Sequence, residues 1–187
     1  MATPARSKLT YEDLQRFPDD NLRRELIDGE LIVTPAPATR HQDVVLKLGA
    51  RLLNHTEEHG GKVYVAPTDV FLSDVDVVEP DVLFVRAEHV DKVEKKLVRS
   101  APDVVVEVSS PSTRRLELVR KRALYERYGV PEYWYVDLDA DRVEIHQLEA
   151  SGYGPPRLLQ RGDTLTSPQV PGFEIAVDDL LGPPDEA

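Results

Sequence analysis

The sequence has 187 residues, no cysteine and a formal net charge of −11 at pH 7. A chain of this length predicts a single domain over residues 1–187, with a core over about 11–179. The lack of cysteine excludes disulfides, thiolate metal sites and a cysteine nucleophile. The acidic balance argues against general adhesion to nucleic acid, which requires a positive surface.

The composition also bears on location and source. No apolar run approaches the roughly 20 residues that a membrane-spanning helix needs, and residues 1–8 lack the apolar segment of a secretory signal. We therefore expect a cytoplasmic protein with no membrane partner. With 15 prolines and 30% charged residues, the composition is typical of a thermophilic source.

The first half of the chain predicts two helices around a β-hairpin. Asp28-Gly29 lies between two short apolar runs and indicates a type I′ turn, and Thr10 is a good N-terminal cap. Further on, apolar residues recur at three- and four-residue steps up to a Gly-Gly stop. The predicted elements are a helix over residues 11–17, a hairpin over 24–33 and a helix over 39–59.

The second half combines strands with one basic helix. Residues 86–99 are mostly charged and predict a surface helix or loop, whereas the helix that starts after Pro111 should end near Tyr128, at Gly129. Strands are predicted over residues 62–72, 77–85, 103–109, 133–136, 142–148 and 173–177. This order predicts an α/β or α+β class with a mixed central sheet flanked by helices.

Charged residues in otherwise apolar elements are the strongest functional signal. Glu107 interrupts the run Val-Val-Val-Glu-Val, where a doubly buried strand should be uniformly apolar. Asp81 precedes Val-Leu-Phe-Val, although strand starts often carry Asp for turn reasons. Lys121 shares a helix face with apolar residues, so either it has an anionic partner or its ammonium reaches water. Asp103 shares a strand face with Glu107 and either joins the site or sits at its edge.

Two carboxylates and a lysine suit metal-assisted hydrolysis of phosphodiesters. Carboxylate oxygens are hard ligands that prefer Mg²⁺ or Mn²⁺. Such an ion lowers the pKa of a bound water and neutralises charge at the scissile phosphate. A lysine beside it can position or deprotonate the water and stabilise the developing charge. We therefore expect Asp81 and Glu107 as metal ligands, with Lys121 beside them.

Several motifs, taken together, resemble a known family. They are Glu25-Leu-Ile-Asp-Gly-Glu-Leu, His41, Pro80-Asp81, Pro102-Asp-Val-Val-Val-Glu-Val-Ser-Ser-Pro-Ser-Thr, Lys121-Arg-Ala-Leu-Tyr125 and Gly129-Val-Pro-Glu-Tyr-Trp-Tyr-Val-Asp137. From about residue 11 to 179 the chain resembles the bacterial Uma family of predicted endonucleases. That resemblance implies the restriction-endonuclease-like fold with a PD-(D/E)xK centre.

The resemblance also implies individual roles. Asp81 matches the motif aspartate and Glu107 the motif glutamate. Ser109 stands where the motif lysine is expected, and Lys121 in the following helix matches the displaced lysine of the family. Glu25 resembles the additional N-terminal acidic residue of such folds, the alternative being an exposed residue before a hairpin.

Other residues have structural interpretations beside functional ones. His41, which recurs in the family pattern as does Asp69, is more often a hydrogen-bonded core histidine than a ligand. The aromatic run at residues 133–135 favours sheet packing over base stacking. The basic side chains within residues 114–127 are either a solvated helix face or phosphate contacts.

The leading hypothesis is a Mg²⁺- or Mn²⁺-dependent endonuclease that hydrolyses DNA. Its catalytic residues would be Lys121, Glu107, Asp81 and Glu25, with Asp81 and Glu107 holding the metal. Because duplex cleavage by this fold usually needs two centres, the resemblance also implies a homodimer. The alternative is a non-catalytic nucleic-acid-binding or regulatory module that retains the fold, which the acidic charge and the lack of an obvious sequence-reading element favour.

Overall fold

The computed structural model describes residues 8–18, 20, 22–109 and 114–183. The helices are α1 (Tyr11–Leu14), α2 (Thr39–His59), α3 (Arg122–Arg127) and α4 (Val177–Leu181), with a 3₁₀ helix at Ala87–Lys92 and a π-helical segment at Leu116–Lys121 that continues directly into α3. The strands are β1 (Arg23–Ile27), β2 (Glu30–Thr34), β3 (Lys62–Val65), β4 (Asp69–Ser73), β5 (Asp76–Val78), β6 (Val82–Val85), β7 (Leu97–Arg99), β8 (Val104–Val108), β9 (Glu132–Asp137), β10 (Arg142–Glu149), β11 (Gly152–Tyr153), β12 (Arg157–Gln160), β13 (Thr164–Ser167) and β14 (Val170–Ala176).

Across the described ranges, these strands form two mixed sheets and a separate hairpin. The large sheet has seven strands in the order β11-β10-β9-β8-β6-β3, with β12 also paired to β10. The small sheet has five strands in the order β2-β1-β5-β4-β7, and β13 pairs with β14. Strands β8 and β9 run parallel, as do β4 and β7, while the other pairs are antiparallel.

Strand β8 divides the interior into two apolar clusters because successive side chains point to opposite faces. Val104, Val106 and Val108 pack in the cluster that includes the buried stripe of α2 and strands β13 and β14. Val105 packs in the other cluster, with side chains of the small sheet and α3. Glu107 lies on this second face and is completely buried.

The local turn and cap predictions are confirmed. Thr10 caps α1 in a capping box with Asp13, although α1 is shorter than predicted. At the predicted type I′ turn, Asp28 and Gly29 have φ of 55° and 74°, the left-handed region that glycine favours. Helix α2 has the predicted bounds, Thr39–His59, and ends at Gly60.

The predicted strands over residues 62–72 and 77–85 were wrong in their continuity, since each is two strands. The peptide between Ala66 and Pro67 is cis and separates β3 from β4. Pro80 lies between β5 and β6; proline has no N–H to donate to a ladder. Strand β7 was not predicted, because it lies in a charged stretch. The predicted start of the basic helix at residues 111–113 lies outside the described residues.

None of the helices in the described part of the chain is long and apolar enough to cross a membrane.

Candidate functional site

A buried cluster of charge lies on the second face of the large sheet. Glu107 projects from the middle of β8, Glu25 from β1 of the small sheet, and Lys121 from the end of the π-helical segment. The Lys121 ammonium is 2.7 Å from Glu25 Oε1 and 2.9 Å from Glu107 Oε1. Glu25 and Glu107 are 0% exposed and Lys121 is 2% exposed, so the lysine does not reach water and Glu25 is not the exposed residue of the alternative interpretation.

The π-helical segment and α3 place two donors on Glu107. Besides Lys121, the Tyr125 hydroxyl donates to Glu107 Oε1 at 2.5 Å. The other oxygen, Glu107 Oε2, is buried and accepts no hydrogen bond from the described residues, and the same holds for Glu25 Oε2. One oxygen of each carboxylate is therefore buried without a hydrogen-bond donor.

Asp81 directly precedes β6 and joins the charge cluster. Its Oδ2 accepts the Val108 backbone N–H at 2.7 Å and lies 3.1 Å from His41 Nε2. Its Oδ1 accepts from the Arg23 guanidinium at 2.7 Å. Asp81 is 2% exposed, and His41, expected to be a hydrogen-bonded core histidine, is hydrogen-bonded but within the site.

Arg23 is a site residue that sequence reasoning missed. One terminal nitrogen bonds Asp81, and the other lies 3.8 Å from Glu25 Oε1 and 3.8 Å from Glu107 Oε2. That second nitrogen also donates to the Glu79 carbonyl oxygen. The available signal was the strand period, because Arg23 and Glu25 are two apart in β1 and so share a face.

The pKa values of the two proposed metal ligands, Asp81 and Glu107, are shifted in opposite directions. Burial raises the pKa of Glu107 to about 7, against the opposing effect of the Lys121 ammonium. Burial also acts to raise the pKa of Asp81, but its hydrogen bond with His41 and the Arg23 charge outweigh burial and hold that pKa well below its usual range. The environment therefore favours the anionic form of Asp81, whereas burial favours the protonated form of Glu107.

Burial and neighbouring charges also shift the pKa values of Lys121 and Glu79. For Lys121, burial lowers the pKa, but Glu107 and Glu25 outweigh burial and raise it above its ordinary value. Burial raises the pKa of Glu79 to about 7, opposed by Arg23 and reinforced by Glu25. Lys121 is thus a cation at neutral pH, held between two acids.

The donor set fits a hard divalent ion. As the side chains stand, no three His, Cys, Asp or Glu residues of the described ranges are arranged to hold a metal, and Arg23 lies between the carboxylates of Asp81 and Glu107. Mg²⁺, however, is commonly bound by one or two carboxylates with water at its other positions. Asp81 and Glu107 are two such carboxylates, and the buried Glu107 Oε2 accepts no hydrogen bond from the described residues.

A cleft of about 500 Å³ gives access to the site. Its lining includes Arg23, His41, Glu79 and Asp81, together with the Ala66-Pro67 turn. Asp81 and Arg23 therefore form the part of the charge cluster that borders solvent, whereas Glu107 and Lys121 lie beneath them.

The sequence left open whether Asp103 joins the site or sits at its edge. In the structure its carboxylate lies outside the charge cluster. Its carboxylate accepts the Arg86 backbone N–H at 2.8 Å and lies 2.8 Å from His89 Nδ1. It therefore ties β8 to the 3₁₀ helix. Asp69, in contrast, accepts a hydrogen bond from the Tyr11 hydroxyl at 3.3 Å at the flank of the site.

The basic helix and the aromatic run have structural partners. Arg114 pairs with Asp137 at 2.7 Å, Arg120 with Glu30 at 2.9 Å, and Arg127 with Asp28 at 2.9 Å. Tyr133, Trp134 and Tyr135 are each 0% exposed, so they pack in the interior and do not form a base-stacking surface. These three arginines thus support the solvated-face interpretation.

Comparison with known proteins agrees with this architecture. Residues 11–178 match the model of the Uma2 family, whose description is "Putative restriction endonuclease". A crystal structure from Anabaena variabilis ATCC 29413, described as "a putative nuclease belonging to DUF820", superposes with a TM-score of 0.78 at 15% identity, covering 92% of this chain and 97% of that chain. At that identity the likeness shows the fold, and it confirms the predicted restriction-endonuclease-like class. No protein with curated annotation matches the sequence.

Proposed function

The chain belongs to the Uma2 family, as its motifs predicted, and we propose that it is a metal-dependent endonuclease that hydrolyses the phosphodiester bonds of DNA. The observation that carries the proposal is the Lys121 ammonium held between Glu25 and Glu107. Asp81 joins the same cluster through Arg23, and one buried Glu107 oxygen accepts no hydrogen bond from the described residues.

Each residue has a distinct part in this proposal. Asp81 and Glu107 would hold Mg²⁺ or Mn²⁺, which supplies a bound water of lowered pKa and charge neutralisation at the phosphate. Lys121 stabilises the negative charge that develops on the phosphate and orients the attacking water. Because its pKa is raised, Lys121 acts as a fixed cation and does not act as the general base.

Three neighbours position these groups. Glu25 accepts from Lys121 and so fixes where the ammonium lies. Tyr125 orients the Glu107 carboxylate through its hydrogen bond to Oε1. His41 lies against Asp81 Oδ2, and because Asp81 is an anion, His41 Nε2 is the donor in this contact.

The substrate would approach through the cleft beside Asp81. A second copy of the chain is part of the proposal, because duplex cleavage by this fold usually needs two centres. Light scattering coupled to size-exclusion chromatography tests the assembly, with twice the mass of the 21.0 kDa chain expected.

The test of function is a calorimetric titration of Mn²⁺ into the wild type and Glu107→Gln, followed by nicking of supercoiled plasmid. We expect the wild type to bind the ion and nick, and the variant to lose both. Glu132→Gln, at a buried glutamate of β9 outside the cluster, is the matched control and should keep both. A wild type that binds no ion and cuts nothing would instead favour the non-catalytic module.

A further inference from the structure

Arg23 lies between the carboxylates of Asp81 and Glu107, the two proposed ion ligands. Its guanidinium bonds Asp81 at 2.7 Å and lies 3.8 Å from both Glu107 Oε2 and Glu25 Oε1. Glu107 Oε2 accepts no hydrogen bond within the described part of the chain. Of the two cations of the cluster, Lys121 contacts Glu107 more closely, but Arg23 is the one that lies against both proposed ligands.

The three buried carboxylates of the cluster explain why the ion-free protein needs a cation between them. Glu25, Asp81 and Glu107 are each 2% exposed or less, and an uncompensated buried charge is strongly destabilising. Lys121 contacts two of these carboxylates, Glu25 and Glu107, which leaves Asp81 to another partner. Arg23 supplies that positive charge.

We propose that Arg23 is an internal counter-cation that occupies the ion position of the ion-free protein and is displaced when a divalent ion binds. This inference rests on the proposed function and adds a regulatory element to the same site. The folded protein exchanges one cation for another, so the carboxylates stay compensated in both states. The ion affinity then contains the cost of moving Arg23.

The contacts of Arg23 permit such an exchange. Its side chain is 23% exposed and lines the cleft, so the guanidinium has a route towards solvent. It makes one short contact with a carboxylate, whereas its other carboxylate contacts are at 3.8 Å. Arg24, the next residue, instead bonds both oxygens of Asp20 at 2.6 Å and does not contact the buried carboxylates of the cluster in the described structure.

The experiment compares Mn²⁺ binding by the wild type, Arg23→Gln and Arg24→Gln, by calorimetry in the absence of nucleic acid. Because the wild type must first move Arg23 away from Asp81, removing this side chain should tighten binding by about tenfold or more. Arg24→Gln should bind as the wild type does. Without ion, Arg23→Gln should melt at a lower temperature than the wild type, and saturating Mn²⁺ should raise its melting temperature by more.

A second measurement on the wild type covers the case in which Arg23→Gln does not fold. The Arg23 Nε–H resonance, assigned by its disappearance in Arg23→Lys, should be ordered without ion and become mobile on addition of Mg²⁺, as judged by its heteronuclear NOE. An unchanged resonance in an ion-saturated protein would overturn the proposal.

The outcomes separate this inference from the proposed function. If the wild type binds Mn²⁺ and Arg23→Gln binds it equally or more weakly, the counter-cation role is overturned while the ion site stands. If Arg23→Gln binds the ion and the wild type does not, the role is supported in its strongest form. If neither binds at millimolar Mn²⁺, both the ion site and the counter-cation role are overturned.

Discussion

Two buried glutamates on neighbouring strands show how differently the fold treats the same side chain. Glu107 of β8 and Glu132 of β9 are 0% and 1% exposed. Glu132 Oε2 accepts from Trp134 Nε1 at 2.8 Å and Ser167 Oγ at 2.6 Å, and Glu132 Oε1 accepts from Gln147 Nε2 at 2.9 Å. Both oxygens of Glu132 are thus occupied by neutral donors.

Glu107 has the opposite arrangement. Its Oε1 receives a charged and a neutral donor, from Lys121 and Tyr125, while its Oε2 accepts nothing from the described residues. A saturated buried carboxylate rigidifies a core, whereas one left half-open beside cations is suited to an exchangeable ligand. Burial therefore does not distinguish these two glutamates, whereas their hydrogen-bond donors do.

The largest expected effect comes from the isosteric substitution made at both positions. Glu107→Gln should lower the rate of plasmid cleavage by about 10³-fold, since it removes a charge that acts on the reacting groups. Glu132→Gln should leave cleavage within about threefold but destabilise the protein by about 1–3 kcal/mol, because an amide nitrogen replaces one accepting oxygen. Equal rate losses in the two variants would contradict the distinction.

Removing the charged donor should separate the two glutamates in stability. Lys121→Met leaves Glu25 and Glu107 without the ammonium that they share, and we expect a loss of about 3–5 kcal/mol. Gln147→Ala removes a neutral donor from Glu132 and should cost about 1 kcal/mol. Urea unfolding measures both changes, and a loss below about 1 kcal/mol for Lys121→Met would show that the ammonium is not needed to compensate these acids.

The pH dependence of stability should sharpen the same contrast. The pKa of Glu107 is raised by burial from 4.5 to about 7, so the fold favours the protonated form. Its contribution to stability is fully present below about pH 4.5 and is lost as pH rises through about 7. In ion-free protein, the stability of the wild type relative to Glu107→Gln should therefore fall by about 2–3 kcal/mol between pH 4.5 and pH 7.5.

The comparison with Glu107→Gln is needed because a second acid titrates in the same window. Burial raises the pKa of Glu79 to about 7 as well, and that contribution is present in both proteins and cancels in their difference. Chemical denaturation at a series of pH values gives the two curves. Parallel curves across this range would show that Glu107 is already ionised in the ion-free fold.

The sequence predicted the parts of this site that interrupt a pattern. Glu107 and Lys121 were identifiable because a charge in an apolar strand or on an apolar helix face requires a partner. The hairpin and α2 were predicted because their turn residues and periodicity are local signals. The catalytic roles of Asp81, Glu107, Lys121 and Glu25 stay predictions, although the structure brings these side chains together.

The missed features depend on contacts between distant segments. Arg23 lies in a run of three charged residues at the start of β1, where a charge interrupts no apolar pattern. Its partner Asp81 is 58 residues away in the sequence. The periodicity of a single strand or helix cannot predict a contact between such distant residues. Similarly, β7 lies in a charged stretch and is a strand because it pairs in parallel with β4, so only the tertiary fold defines it.

The smallest expected effect concerns the neutral donor of each glutamate. Tyr125→Phe removes the hydroxyl that donates to Glu107 Oε1, and Ser167→Ala removes the hydroxyl that donates to Glu132 Oε2. Each should cost about 1 kcal/mol of stability. Only Tyr125→Phe should also weaken Mn²⁺ binding, by about two- to tenfold, because the Glu107 carboxylate loses a group that orients it. If Ser167→Ala weakened ion binding as much as Tyr125→Phe, the effect would reflect general loosening of the interior, and the open carboxylate could no longer be distinguished from the saturated one by its donors.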